Sequence, residues 1–162
     1  MIFVSKSGFL KYDHLKFKCT LGKSGIGEKK REGDNVTPKG VYKIINVFYR
    51  KDRISKINPK LKPMEIKKNM GWCDDFKSKK YNQLVIIPNK FSHEKLYRDD
   101  NLYDIILVLN YNTNPIIKKK GSAIFIHISK DNKKTKGCIG LKKYEILLLL
   151  NVIKKNQKVK IG

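Results

Sequence analysis

An apolar run from Ala123 to Ile128, interrupted only by His127, constrains this chain more than any other segment. The run predicts a buried strand, so the histidine is expected to lie within the body of the fold. Eleven positions later Cys138 follows Gly137, and the polar loop in between can fold back and bring thiol and imidazole together. A thiol beside an imidazole is the minimal equipment for nucleophilic acyl transfer.

The other apolar segments predict a mostly β fold in one domain that spans residues 1–162. Residues 1–20 predict a β-hairpin, and residues 22–40 predict a loop rich in glycine and charge. Residues 142–155 are the only predicted helix. Residues 50–80 predict a long loop excursion, which in a compact domain is more often functional than idle. Further strands are predicted over residues 41–49, 84–87, 105–109 and 158–161.

The formal charge of +23 at pH 7 first suggests a nucleic-acid partner. Only four of the 37 basic residues are arginines, however, whereas base and phosphate recognition favours the bidentate guanidinium group. The lysines are spread along the chain beside many Asn and Ile residues. Lys, Asn and Ile all have AT-rich codons, so the base composition of the genome can account for much of the lysine excess. We therefore predict a solvated basic surface and no specific nucleic-acid site. A non-catalytic basic module that binds nucleic acid or an anionic wall polymer is the alternative.

The three cysteines, Cys19, Cys73 and Cys138, are odd in number, far apart and without a C-x-x-C pair. This usage argues against a disulfide framework and against a zinc site, and no metal ion is predicted. The longest apolar runs, residues 105–109 and 146–150, are far shorter than the ~20 residues that a membrane-spanning helix needs. The N-terminal apolar run is too short for a secretion signal, so the sequence predicts a soluble protein that is not visibly exported.

The cysteine–histidine pair has a chemical and a structural interpretation. In the chemical one, Cys138 attacks as a thiolate, and the N–H groups from Gly137 to Ile139 face the developing oxyanion. His127 acts first as general base and then as general acid, and a backbone carbonyl is expected to hold its second ring nitrogen. In the structural one, the two residues are an ordinary core histidine and a small buried thiol. The spacing by itself leaves both interpretations open.

The surrounding motifs add a resemblance to a known family. The run from Gly121 to Leu141 resembles the active-site region of the L,D-transpeptidase (YkuD-type) catalytic domain, in which a strand histidine and a short loop precede Ser/Thr-x-Gly-Cys. The similarity extends through nearly the whole chain and points to the compact bacterial branch of that family. The other matching segments are Leu21–Gly25, Lys30–Asp34, Thr37–Gly40, Gly71–Asp75, Tyr81–Asn82, His93–Arg98 and Leu102–Asp104.

The resemblance implies an L,D-transpeptidase-like β-sandwich or barrel and a covalent mechanism on peptidoglycan stem peptides. Cys138 would attack the amide carbonyl after an L-centre, D-Ala would leave, and an amine or water would resolve the thioester. No metal or organic cofactor is implied, and carbapenem-type β-lactams would acylate the same cysteine. Such an enzyme would serve peptidoglycan biosynthesis, cell wall organisation and cell shape, in the periplasm or cell wall. Because no signal peptide is readable, the cytoplasm is the alternative location.

Four residues outside the His–Cys segment are candidates for substrate binding. Trp72 and Asp74 could line a substrate cleft. For Trp72, a contact that anchors the loop of residues 50–80 to the rest of the domain is equally favoured. For His93 a surface or structural role is favoured over a catalytic one. For Arg98 an internal ion pair is favoured over a bond to a stem-peptide carboxylate, the expected partners being Asp99, Asp100 or Asp104.

Two positions beside the cysteine depart from the family pattern. Lys136 stands where larger members often carry histidine, and Gly140 stands where Asn or Arg is common. The His-to-Cys loop is also shorter. Thr135 and Lys136 are candidates for substrate binding, while an anchor for the substrate carboxylate is expected elsewhere than at residue 140. These departures leave open whether an amine resolves the thioester, as in a transpeptidase, or water does, as in an L,D-carboxypeptidase or amidase.

Overall fold

Strands dominate the computed structural model, which describes residues 1–131 and 133–162. In chain order they are β1 (Ile2–Ser5), β2 (Phe9–Tyr12), β3 (Leu15–Lys18), β4 (Ile26–Gly27), β5 (Thr37–Pro38), β6 (Gly40–Tyr49), β7 (Met64–Glu65), β8 (Met70–Cys73), β9 (Leu84–Ile86), β10 (His93–Lys95), β11 (Ile105–Leu109), β12 (Phe125–Ile128), β13 (Ile139–Leu141) and β14 (Lys158–Ile161). A single α-helix, α1 (Lys143–Val152), and a 3-10 turn (Pro59–Leu61) complete the described elements. The predicted mostly β domain with one late helix is confirmed.

The largest sheet curls into a nearly closed barrel. Its strands follow the order β13-β12-β11-β6-β14-β1-β2-β3, and β7 pairs with β6 beside this path. Beyond β3, Thr20 and Gly140 exchange two backbone hydrogen bonds with N–O distances of 2.9 Å, and Gly22 bridges to Thr135. These bridges draw the chain after β3 against β13 and close most of the gap between the two edges.

The barrel interior is the main hydrophobic core. Successive strand residues alternate between this interior and the outer face, as the two-residue period of a strand requires. In β12, Ile126 and Ile128 point inward, whereas Phe125 packs in a second cluster outside the barrel. The same alternation puts Ile139 and Leu141 of β13 inside. The residues between them therefore face outward, and His127 is among these.

The helix packs against the barrel core. At its start the Glu145 carboxylate accepts the Lys142 N–H at 2.8 Å, which satisfies one of the donors that a helix N-terminus leaves open. The helix ends at Val152, earlier than the predicted residue 155, because Ile153 adopts an extended conformation (ψ 159°) and is itself buried. The side chains that it adds to the core are Ile146, Leu149 and Leu150.

A three-stranded sheet with the order β10-β8-β9 lies over the outside of the barrel. It covers β11, β12 and the second half of β6 through a second hydrophobic cluster, formed by Phe48, Ile66, Trp72, Leu96, Tyr103, Ile106, Val108 and Phe125. Residues 50–80 are largely irregular, as predicted, but they contain β7 and β8. Strand β8 forms because three of its four residues are buried.

Two further predictions, both of strands, are wrong. Residues 1–20 form three antiparallel strands instead of one hairpin, because Gly8 (φ 77°) and Asp13 (φ 53°) each make a separate turn within the polar stretch. The strand expected from Ala123 begins only at Phe125, since Ala123 has φ 53° and so lies outside the β region.

Candidate active site

The pairing of β12 with β13 brings the candidate histidine and cysteine to the same face. The strands are parallel, with Ile126 opposite Ile139 and His127 opposite Gly140. Cys138 immediately precedes β13, and it packs against the outer cluster that contains Phe125. From a strand spacing of about 4.8 Å and a rise of about 3.3 Å per residue, this register puts the Cα atoms of Cys138 and His127 about 8 Å apart.

Cys138 is half-buried, and its sulfur is hydrogen-bonded both to the segment that leads into β12 and to the first residue of that strand. Its thiol donates to the Ala123 carbonyl (Sγ–O 3.1 Å), and the Phe125 N–H donates to the sulfur (N–Sγ 3.4 Å). Burial raises the pKa of the thiol to about 12, against the opposing effect of the Phe125 N–H. At neutral pH the resting cysteine is therefore a thiol, and it needs a base to become a nucleophile.

His127 is 7% exposed, and its Nδ1 lies 2.8 Å from the Ile128 carbonyl oxygen. A carbonyl can only accept, so Nδ1 carries the proton and Nε2 is left as the proton acceptor. The expected backbone carbonyl partner is thus confirmed. Burial lowers the pKa of the imidazole below its usual value, although the Ile128 carbonyl opposes the shift. The ring is therefore neutral at pH 7 and able to take a proton.

An aromatic and charged group surrounds the imidazole. The Tyr103 ring packs edge-on against His127, with centroids 5.3 Å apart, and its hydroxyl donates to Glu94 at 2.7 Å. The Arg98 guanidinium lies 5.2 Å from the Tyr103 ring centroid and forms a bidentate pair with Asp100 (2.8 and 2.6 Å). The prediction of an internal carboxylate partner for Arg98 is confirmed.

The turn before the cysteine is held by Thr135. Its hydroxyl donates to the Cys138 carbonyl (2.6 Å) and accepts the Gly137 N–H (3.1 Å). The Gly137 N–H, expected to face an oxyanion, is thus engaged within the turn. Among the residues that the structure describes, none accepts a hydrogen bond from the Cys138 N–H. Ile139 is fully buried in the barrel core, and Lys136 is exposed at the surface.

A family model described as the L,D-transpeptidase catalytic domain (YkuD) matches residues 2–161. The chain belongs to the L,D-transpeptidase catalytic domain family. The match covers nearly the whole chain, and it supports a catalytic activity of this family on peptidoglycan. No curated protein matches the chain.

The structure explains one departure of this L,D-transpeptidase-family domain from the expected pattern. Gly140 lies opposite His127, and a Cβ atom added there would meet the side chains of Thr20 and Ser129. These two hydroxyls are 3.2 Å apart and fill the space beside the strand. A longer side chain at residue 140 has no room in this arrangement, so any anchor for a substrate carboxylate must come from another position.

Asn82 is the residue of the site that the sequence reasoning missed. Its side-chain oxygen accepts the indole N–H of Trp72 and the N–H of Ala123, both at 3.0 Å. Its amide nitrogen donates to the carbonyls of Tyr111 (3.0 Å) and Asn112 (2.8 Å). The amide therefore fixes the backbone at Ala123, the residue whose carbonyl accepts the thiol. The sequence marks Tyr81-Asn82 only as a matching motif, and the available signal for a special role is the tolerance of asparagine for positive φ (57° here).

The remaining candidates lie in or beside the three-stranded sheet. Trp72 is 4% exposed and packs edge-on against Phe125 at 5.2 Å, which fixes β8 to the barrel. His93 is half-buried opposite Cys73, and its Nδ1 lies 2.7 Å from the Phe91 carbonyl oxygen. Asp74 is half-buried, and its Oδ1 has no hydrogen-bond partner among the described residues.

A cluster of hydrogen bonds around Asp34, which we call the Asp34 cluster, organises the loop that borders the cysteine turn. Asp34 accepts the buried ammonium of Lys29 (2.5 Å) and the N–H groups of Lys30, Arg31 and Val36. Partial burial opposes ionisation, but the Lys29 bond and the N–H groups prevail and lower the pKa of Asp34 to about 2. A Cβ atom added at Gly137 would lie 2.8 Å from the Val36 carbonyl, so this loop fits closely against the Gly-Cys turn.

Two features are absent from the described part of the chain. It contains no group of three or more His, Cys, Asp and Glu side chains that could hold a metal ion. Within residues 1–131 and 133–162, no helix has the length and apolar character required to cross a bilayer.

Proposed function

We propose that this domain catalyses cysteine-dependent acyl transfer on peptidoglycan stem peptides, with a thioester on Cys138 and His127 as the base. One observation carries the proposal: the parallel pairing of β12 and β13 gives the half-buried Cys138 and a neutral imidazole the same sheet face. Membership of the L,D-transpeptidase family supplies the substrate class.

The first half of the reaction starts from the neutral pair. His127 Nε2 removes the proton from Cys138, and the sulfur attacks the amide carbonyl that follows the L-centre of a tetrapeptide stem. When the tetrahedral intermediate collapses, the C–N bond breaks, and the imidazolium returns its proton to the leaving amine of D-Ala. The Nδ1 bond to the Ile128 carbonyl keeps the ring in the required tautomer through both transfers.

The Cys138 N–H is our candidate for stabilising the oxyanion. It has no acceptor among the described residues and belongs to the nucleophile itself, next to the carbon under attack. The N–H groups of Gly137 and Ile139 complete the proposed set, with the Gly137 donor released from Thr135 when substrate binds. A single oxyanion donor is typically worth about 10²–10³ in rate.

Lys136 is our candidate anchor for the terminal carboxylate of the stem. Residue 140 offers no side chain, whereas the Lys136 ammonium is exposed two residues before the nucleophile. Thr135, Trp72, Asp74 and His93 are proposed to shape the surrounding substrate site. Arg98 contributes indirectly, because Asp100 already occupies its guanidinium group.

In the second half, the thioester reacts with an amine of another stem, a free D-amino acid or water. His127 deprotonates this acceptor and then protonates the departing Cys138 sulfur. An amine acceptor makes the enzyme an L,D-transpeptidase that serves peptidoglycan biosynthesis, cell wall organisation and cell shape, in the periplasm or cell wall. Water makes it an L,D-carboxypeptidase or amidase. Supplying a tetrapeptide muropeptide with excess D-amino acid separates these outcomes, because only a transpeptidase yields the exchanged tetrapeptide.

A carbapenem tests the nucleophile. We expect intact-protein mass spectrometry to detect one covalent adduct on the wild type and none on Cys138→Ala. The matched controls are Cys19→Ala and Cys73→Ala, which remove buried thiols and should keep the adduct. A folded wild type without an adduct, or an adduct that survives Cys138→Ala, would overturn the assignment.

A further inference from the structure

The outer face of one half of the barrel is left uncovered. It is formed by β3, β2, β1, β14 and the first half of β6, which are neighbours in the sheet. The three-stranded sheet covers only the second half of β6 and the strands beyond it. We call the uncovered surface the lysine face; its outward side chains are Phe3, Ser5, Phe9, Lys11, Lys16, Lys18, Val41, Lys43, Ile45, Lys158 and Lys160.

The strand register arranges this face in a continuous row. Lys16 pairs with Lys11, Lys11 with Phe3, Phe3 with Lys160, and Lys160 with Val41. The row crosses five strands, so it extends for about 19 Å at a strand spacing of about 4.8 Å. In β1 and β14 the row members alternate with buried residues of the same strand, which keeps their side chains on one side.

The charge of the lysine face is not compensated locally. Its strands carry six outward lysines and no acidic residue, as their sequences show. In the described part of the chain, none of these six ammonium groups takes part in an ion pair. Lys16 instead lies over the Phe9 ring, 4.7 Å from its centroid. Such a surface favours an anionic partner.

Apolar side chains are exposed among the lysines. Phe3 is 48% exposed, Val41 57% and Ile45 37%. A shallow depression beside them is lined by Phe3, Ser5, Ser7, Phe9, Lys11 and Lys16. Phe3 and Val41 both flank Lys160 in the row. The partner must therefore offer an apolar phase next to its negative charges.

We infer that the lysine face binds the surface of an anionic phospholipid bilayer, with Phe3 and Val41 between the headgroups and the lysines at the phosphates. Interfacial binding combines buried apolar area with attraction to anionic lipids, and both are present on this face. A nucleic acid or an anionic polysaccharide fits less well: Phe3 and Phe9 can stack on bases, but Val41 and Ile45 cannot, and a sugar polymer offers no apolar phase.

Co-sedimentation with lipid vesicles tests this inference without requiring activity. The probe is a vesicle of phosphatidylcholine mixed with phosphatidylglycerol, compared with pure phosphatidylcholine. We expect binding to the anionic vesicle only. Removing Lys11, Lys16 and Lys160 together by Lys→Gln changes should weaken partitioning by roughly a hundredfold, at about fivefold per lysine near the membrane surface.

Two further variants make the test specific. Lys67, Lys68 and Lys79 are exposed in the segments that flank β8 of the three-stranded sheet. Changing these three together to Gln lowers the net charge by the same amount as the lysine-face variant. This control should bind at least ten times more strongly than the lysine-face variant. Phe3→Ser combined with Val41→Ser keeps every lysine and should still weaken vesicle binding by about tenfold, because the apolar anchors are lost.

Three outcomes would overturn the inference. The control triple variant losing as much binding as the lysine-face variant would assign the effect to net charge. Unchanged vesicle binding by Phe3→Ser/Val41→Ser would assign it to a polyanion surface without insertion. Tighter binding of a single-stranded oligonucleotide than of the anionic vesicle, lost in both face variants, would assign the face to nucleic acid. Circular dichroism on each variant confirms that the fold is retained.

Discussion

The Ala123 carbonyl oxygen accepts a hydrogen bond from the Cys138 thiol (Sγ–O 3.1 Å). The candidate nucleophile is therefore held by the segment that leads into β12. Ala123 itself sits at φ 53°, a conformation that is uncommon for alanine and that neighbouring contacts must maintain. Asn82 supplies such a contact by accepting the Ala123 N–H. The position of the thiol therefore depends on an amide well outside the His–Cys segment.

Replacing Asn82 should affect both stability and reactivity. Asn82→Ala leaves the Trp72 indole N–H and the Ala123 N–H without their acceptor, and a buried unsatisfied group costs about 1–3 kcal/mol. We expect a loss of at least about 2 kcal/mol in urea unfolding. We also expect a lower kcat at unchanged KM for acyl transfer. Asn69→Ala, at an exposed asparagine, is the control and should alter neither quantity.

The reactivity of Cys138 in the free enzyme should increase steeply with pH. Because burial raises the pKa of this thiol to about 12, the thiolate fraction keeps growing well above neutral pH. In the Cys19→Ser/Cys73→Ser background, we expect the rate of iodoacetamide alkylation to rise through pH 9 without levelling off. A plateau reached near pH 7 would instead reveal a preformed thiolate–imidazolium pair and contradict the neutral resting state.

Acid should destabilise the fold through His127. Burial lowers the pKa of this imidazole below the unfolded value of 6.5, so below pH 6.5 the unfolded chain binds a proton that the folded chain resists. The free energy of unfolding should therefore fall as the pH drops from 7 to 5, and His127→Gln should flatten this part of the curve. His14→Gln is the matched control, because His14 is 75% exposed. A curve that is unchanged in His127→Gln would argue against the buried neutral ring.

The Asp34 cluster should stabilise the fold at pH values above the pKa of the Asp34 carboxyl group. The folded pKa of about 2 lies below the ordinary value of 3.8, so the contribution is present above pH 3.8 and is lost as the pH falls toward 2. Asp34→Asn should lower the free energy of unfolding at pH 7 by about 2 kcal/mol, the order expected for hydrogen bonds to a charged group. Asp99→Asn, at an exposed aspartate, should leave it unchanged. Equal stability of the two variants would show that the Asp34 cluster does not stabilise the fold.

The sequence predicts the local parts of the site better than its long-range parts. His127 on an apolar strand and Cys138 after Gly137 are visible because strand period and glycine turns are local signals. Their shared face depends on the parallel pairing of β12 with β13, a three-residue strand too short to be recognised by its pattern. The role of Asn82 is hidden for the same reason, since its partner Ala123 lies 41 residues away.

The fold shows the same division. The apolar runs predict β11 and all of β12, apart from a start placed two residues too early, because five and four consecutive residues there are buried. The third strand at the N-terminus is not predicted by the sequence, because the turn at Asp13 uses a positive φ without glycine. Strand β8 escaped prediction because Trp72 and Cys73 gain their burial from contacts with the barrel rather than from a periodic pattern.

Trapping the acyl-enzyme tests the central claim most directly. A tetrapeptide-stem muropeptide is incubated separately with the wild type, Cys138→Ala and His127→Ala. The reactions are quenched in acid, and the mass of each intact protein is measured by mass spectrometry. We predict an adduct on the wild-type protein equal to the muropeptide without its terminal D-Ala, located on Cys138 and removed by hydroxylamine. It should be absent from Cys138→Ala and strongly reduced in His127→Ala. Release of D-Ala by Cys138→Ala at the wild-type rate would contradict the account.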